Sequence, residues 1–123
     1  MDNTPHQYGQ SSEDVALRFL QRRGYRILAR NYRTRMGEID IVARHKGVIV
    51  FVEVKARRST GYGNPKWALT PSKQRKLSMT ALAYLKQQGS TQTRARFDVV
   101  TVQQREGRPH IEVITNAFDL AYP

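Results

Sequence analysis

Two apolar segments, Gly37-Glu38-Ile39-Asp40-Ile41-Val42 and Phe51-Val52-Glu53-Val54-Lys55, carry charges where a plain core strand carries none. Ala43 to Val50 separates them, with Lys46-Gly47 as a turn signal, so the pair reads as a β-hairpin over 38–45 and 48–55. A two-residue turn sets His45 against Val48, Asp40 against Glu53 and Glu38 against Lys55. Side chains alternate between faces along a strand. Ile39, Ile41, Ala43, Val50, Val52 and Val54 therefore share an apolar face. Glu38, Asp40, Val42, Phe51, Glu53 and Lys55 share the other.

Opposed residues have Cβ atoms about 4.5–5.5 Å apart, and two carboxylates that close repel. Glu38 facing Lys55 is an ordinary cross-strand ion pair, and Glu38 is otherwise an outer acid behind the cluster. Asp40 facing Glu53 gains nothing without a cation. Mg²⁺ or Mn²⁺ meets that need, because such ions take one or two carboxylates and keep positions for water and phosphate oxygens. Lys55 beside them is placed to hold an attacking water or to balance charge on a phosphate.

Charge points the same way. Lys plus Arg number 21 against 10 Asp plus Glu, giving +11, an excess that favours a polyanionic partner such as nucleic acid. The absence of cysteine excludes disulfides and thiolate zinc sites. His6, His45 and His110 show no metal-ligand spacing, and nothing forms a Ser/His/Asp triad. No apolar run approaches a membrane span and the first ten residues lack a signal core, so a cytoplasmic, membrane-independent protein is expected.

Residues 1–10 read as a flexible tail and 11–123 as a single domain. Ser11 and Asp14 form a variant capping box ahead of a helix with an apolar stripe at Val15, Ala16, Phe19 and Leu20, stopped by Gly24. Tyr25 to Tyr32 reads as a strand. Thr70-Pro71 starts a second helix, with Leu77, Ala81, Tyr84 and Leu85 inward and Gly89 at its end. Arg96 to Gln103 and His110 to Thr115 are strands joined through Glu106-Gly107, and a helical turn is expected at Asn116 to Leu120. The order is α-β-β-β-α-β-β, an α/β fold in which 48–55 and 96–103 are joined by a helical crossover.

At these residues the chain resembles the PD-(D/E)xK, or restriction-endonuclease-like, superfamily: Asp40 matches its acidic first half and Glu53-Val54-Lys55 its E-x-K half. Over nearly the whole length it resembles the YraN-like family of small bacterial proteins. That match rests on Glu13 with Ala16, Arg23-Gly24-Tyr25, Asn31-Tyr32-Arg33, GEIDIV, FVEVKAR, the helix from Thr70, RFDVV and the closing NAF. The family is similar to archaeal Holliday-junction resolvases. The resemblance implies a mixed sheet flanked by helices and a metal-dependent DNA endonuclease acting on branched or structured DNA. It makes Asp40, Glu53 and Lys55 the catalytic and metal set, adds Glu13 as a helix carboxylate and the Val54 backbone carbonyl as a metal ligand, and implies a homodimer by analogy. Glu38-Ile39-Asp40 stands where the superfamily pattern has Pro-Asp.

Other residues divide less sharply. Glu13 also suits the first turn of a helix, where the macrodipole favours an acid. Arg57 and Arg58 after Lys55, and Lys73, Arg75 and Lys76 at the second helix start, flank the site and are the expected nucleic-acid contacts. Ser59 to Pro65 lacks a P-loop ending. Tyr62 or Trp67 in that region is a candidate base-stacking residue, with core packing the simpler role for Trp67. Gln74 has only a faint likeness to the glutamine of RecB-type nucleases. Two readings compete with the enzyme: a nuclease-fold protein that binds nucleic acid without cutting, and a small basic assembly factor binding RNA or protein.

Overall fold

A computed structural model describes residues 5–57, 69–90 and 92–119, with side chains from Ser12 onward except Arg57. The chain order is α1 (Pro5–Arg22), β1 (Arg26–Arg33), β2 (Glu38–His45), β3 (Val48–Arg57), α2 (Pro71–Gln87), β4 (Ala95–Arg105) and β5 (Arg108–Phe118). The five strands form one sheet in sequence order, antiparallel except for the parallel β3–β4 pair. A parallel pair needs a long crossover, and α2 lies within it. This is a mixed sheet flanked by helices, with the restriction-endonuclease-like element order expected from the sequence.

Local chemistry explains the joints. Lys46 and Gly47 take left-handed φ values of 52° and 80°, as a two-residue hairpin turn requires. His45 therefore pairs with Val48, and the register runs without slip to Ile41 opposite Val52. Glu106 and Gly107, at 52° and 75°, close β4–β5 the same way. Thr70 caps α2 by accepting the Lys73 amide at 3.2 Å, with Pro71 in the first turn.

Alternation along β3 divides the core between two faces. Val50 and Val52 pack with Ala16 and Leu20 of α1, Tyr25, Ile41, Ala43, Val100 and Val102. Ile49 and Phe51 pack with Ala81, Tyr84 and Leu85 of α2, and with Ile39, Val42 and Phe97. The helices thus cover opposite faces of the sheet.

Two boundaries and one face assignment differ from expectation. α1 begins at Pro5, so Ser11 lies inside the helix rather than capping it. Proline suits a first helical turn, and the local Ser11–Asp14 signal loses to helix continuation. Ile39 faces α2 while Ile41 faces α1, against the shared face that strict alternation gives. On β1, Asn31 lies between the positions paired with Ile41 and Ile39 and has φ 52°, a conformation asparagine tolerates, so the local pleat is broken there. β5 continues to Phe118, and Asn116 at φ 54° marks a register shift where a helical turn was expected.

The α1 face also holds a buried polar knot. Asp98 is fully buried, accepts the Asn116 amide at 2.9 Å, and binds Arg96 Nε at 3.1 Å. The Tyr25 hydroxyl donates to Asp98 at 3.4 Å and accepts from Arg96 at 2.9 Å. Removing one member of a buried ion pair strands the other. Asp98→Ala should therefore lose on the order of 3 kcal/mol of stability, read from denaturant midpoints. A loss under about 0.5 kcal/mol, the range of a surface change, would contradict this anchoring role.

Candidate active site

The β2–β3 ladder ends at Ile41–Val52, one residue before Asp40 would meet Glu53. The Val54 amide donates instead to Asp40 Oδ2, at 2.8 Å. A side-chain acceptor thus replaces the ladder carbonyl where β2 leaves β3. Asp40 and Glu53 still meet, because their carboxyl groups hydrogen-bond to each other. Lys55 Nζ lies 3.9 Å from Glu53 Oε1. Glu53 and Lys55 have 22% and 30% of their side-chain surface exposed, enough shielding to strengthen charge interactions while leaving them reachable by a ligand.

Burial raises the pKa of both acids. Glu53 is pushed up to about 8, first by desolvation and then by the Asp40 charge. Asp40 is also raised by burial, opposed by the Val54 amide and by the bond from Glu53. Both carboxyl groups therefore hold a proton more readily than an isolated acid does, Glu53 the more strongly. This arrangement suits a divalent cation: two desolvated carboxyls that need either a proton or a positive ion between them. Among the described residues no group of three Asp, Glu or His side chains forms a ready-made cage, so protein ligation would come from this pair.

Glu13 approaches from α1. Its pKa is raised by burial and then by Asp40, with Glu38 and Asp14 adding and Arg30 opposing. It lies well past the first turn, because α1 starts at Pro5, so the dipole account of this residue fails. Arg30 of β1 lies 3.9 Å from Glu13 and 2.9 Å from Asp14, tying the helix to the sheet edge beside the cluster. Arg30 is a site residue that the sequence did not single out. It lies 16 residues from Asp14, on a different element, so no local pattern links the two.

Glu38 does not pair with Lys55. It is opposite Arg33 on β1 and bonds to Arg33 Nε at 3.3 Å. The cause is the parting of β2 from β3: beyond Ile41, β2 keeps only its β1 neighbour. Glu38 still acts on Asp40 and Glu53 through its charge.

Lys73, Arg75 and Lys76 are exposed on the first turns of α2. The turn before Glu38 docks there. Thr34 Oγ1 is 3.3 Å from Thr80 Oγ1, and a Cβ built on Gly37 would lie 3.9 Å from Lys76 Cβ. Lys76 is thereby brought alongside the strand that carries Asp40. Gln74 is spent on the helix start, donating to the Leu69 carbonyl at 2.8 Å. Arg58, Tyr62, Trp67 and the Arg57 side chain lie outside the described residues. Among the described residues no helix is long and apolar enough to cross a membrane.

Fold and site together define a restriction-endonuclease-like α/β protein with an acid-acid-lysine cluster at a strand divergence. Residues 12–102 match the family described as "Uncharacterised protein family UPF0102", and the chain belongs to that YraN-like family. It is 53% identical over 119 residues to a UPF0102 protein of Desulfosudis oleivorans, covering 97% of this chain and 95% of that one. It is 52% identical over 115 residues to a UPF0102 protein of Geobacter sulfurreducens, covering 93% and 90%.

The raised pKa of Glu53 gives a pH signature. An unfolded Glu53 titrates near 4.5 and the folded one near 8, so folding takes up a proton between those values. The stability this provides is full below about pH 4.5 and is lost as pH rises toward 8. In chelator, the urea midpoint should fall from pH 5 to pH 8. Glu53→Gln, which keeps a donor to Asp40 without the charge, should flatten that fall and exceed wild type at pH 8. An equal slope in the variant would count against protonation of Glu53.

Proposed function

We propose that this protein is a metal-dependent endonuclease acting on DNA, with branched or structured DNA as its substrate class. One observation carries the reading: Asp40 and Glu53 join carboxyl to carboxyl where β2 and β3 part, with the Lys55 ammonium 3.9 Å from Glu53. Asp40, Glu53 and the Val54 carbonyl would hold Mg²⁺ or Mn²⁺. When bound, such an ion supplies Lewis-acid stabilisation of the phosphate and a more acidic water. Lys55 orients the attacking water and offsets charge developing on the phosphoryl oxygens. Glu13, ion-paired with Arg30, adds a further acid whose charge couples to Asp40. Lys73, Arg75 and Lys76, with Arg57 and Arg58, position the backbone through phosphate contacts. The branched-DNA preference and a homodimer follow from the likeness to resolvases.

The test is a cleavage panel over single-stranded, duplex, flapped and four-way DNA with Mg²⁺ or Mn²⁺. Asp40→Asn, which retains an acceptor for the Val54 amide, Glu53→Gln and Lys55→Ala should each slow cutting by about 100-fold or more while remaining folded. A protein of this fold that only binds nucleic acid would shift these probes equally with and without the metal and yield no product. Absence of cutting on every probe, or variants that cut like wild type, would refute the enzyme reading.

A further inference from the structure

The carboxylate cluster occupies one end of the β3 strand, and the other end holds a second polar site. An open concavity of about 570 Å³ is lined by Arg23, Tyr25, His45, Lys46, Arg96 and Thr115, a size that suits a small ligand or one nucleotide unit. Arg23 follows α1, Lys46 sits in the β2–β3 turn, and Arg96 opens β4 opposite Val50. Glu53 lies five residues beyond Val48 along β3, roughly 16 Å away at strand spacing.

Among the described residues no carboxylate lines this concavity. Asp98, which holds the lining residues Arg96 and Tyr25, is fully buried and also accepts from the Asn116 amide. Those bonds fix the Arg96 guanidinium in place. His45 is fixed as well: its ring stacks on Tyr25 with centroids 4.0 Å apart and planes within 1°, and Nδ1 lies 3.4 Å from Arg96 Nη2. Arg23 and Lys46 have no ion-pair partner among the described residues, and Arg23 lies over the Phe19 ring at 4.4 Å. The result is a rigid floor with two uncompensated cations at its rim and a hydroxyl from Thr115. A surface kept basic only for solubility has no need of this order, because it costs side-chain entropy and sets like charges near one another.

We propose that this concavity is a phosphate-binding site for nucleic acid, separate from the carboxylate cluster, in which Arg23, Lys46 and Arg96 receive one phosphate group. Planar guanidinium groups suit phosphate oxygens, and preorganisation by Asp98 reduces the cost of ordering on binding. The phosphate belongs either to a 5′ end or to the internal backbone. Both present the same oxygens to the site.

Binding of a fluorescent single-stranded oligonucleotide to the full chain, in chelator so that no cutting intervenes, tests this. The probe is used with a 5′-phosphate and with a 5′-hydroxyl. The pocket variant is Arg23→Gln with Lys46→Asn, since asparagine tolerates the φ of 52° at that turn. Arg18→Ala with Lys86→Ala, both exposed, removes the same charge elsewhere. The pocket variant should bind about tenfold more weakly than the charge-matched control. Its slope of log affinity against log salt should be shallower by about one to two. A 5′-phosphate preference in wild type that vanishes in the pocket variant assigns the site to a strand end. Equal binding of both probes, with the same loss in the variant, assigns it to the backbone. Should the pocket variant melt early, Lys46→Asn alone repeats the comparison. Affinity and salt slope equal to those of the control overturn the proposal. Because no metal is present, pocket-dependent binding by a protein that cuts nothing leaves this site standing while the endonuclease reading falls.

Discussion

A single hydrogen bond, from the Val54 amide to the Asp40 carboxylate, sets the form of the acidic cluster where β2 and β3 part. It stands where a backbone carbonyl would continue the β2–β3 ladder, and so it ends that ladder without leaving a buried donor unsatisfied. Where the strands part, the Asp40 carboxyl group also meets Glu53. Glu38 is left with its β1 neighbour, and Lys55 is left with Glu53. Each of these pairings follows from one strand departure.

The same departure makes the site electrostatically unusual. Two acids drawn together in a shielded place cannot both ionise at low cost. Protonation relieves this, and burial with the Asp40 charge pushes the Glu53 pKa up to about 8. That is a held imbalance: the cluster favours whatever positive species can replace the proton. Around it, Arg30 and Arg33 balance the outer acids Glu13, Asp14 and Glu38, and among the described residues the inner pair has Lys55, 3.9 Å from Glu53, as its ion-pair partner.

Much of this was legible in the sequence because local rules acted alone. Lys46-Gly47 fixed the hairpin register, and Thr70-Pro71 fixed the start of α2. The element order and the family also read directly. What did not read were features set by a third element. Glu38 opposite Lys55 is correct arithmetic for an unbroken hairpin, but the break at Asp40 depends on a side chain competing with backbone. Ile39 changed faces because of Asn31 on a neighbouring strand. The Tyr25–His45–Arg96–Asp98 knot joins residues up to 73 positions apart. Its only local trace was an aspartate within the apolar run Phe97-Asp98-Val99-Val100, which called for a buried partner.

We propose that Asp40 and Glu53 exchange protonation for a divalent cation. Calorimetric titration of the chain with Mn²⁺ near pH 7, in buffers of different ionisation enthalpy, counts the protons released on binding. The account predicts saturable binding with close to one proton released per ion, and no such release from Glu53→Gln. Binding without proton release, or no binding at millimolar Mn²⁺, would contradict it.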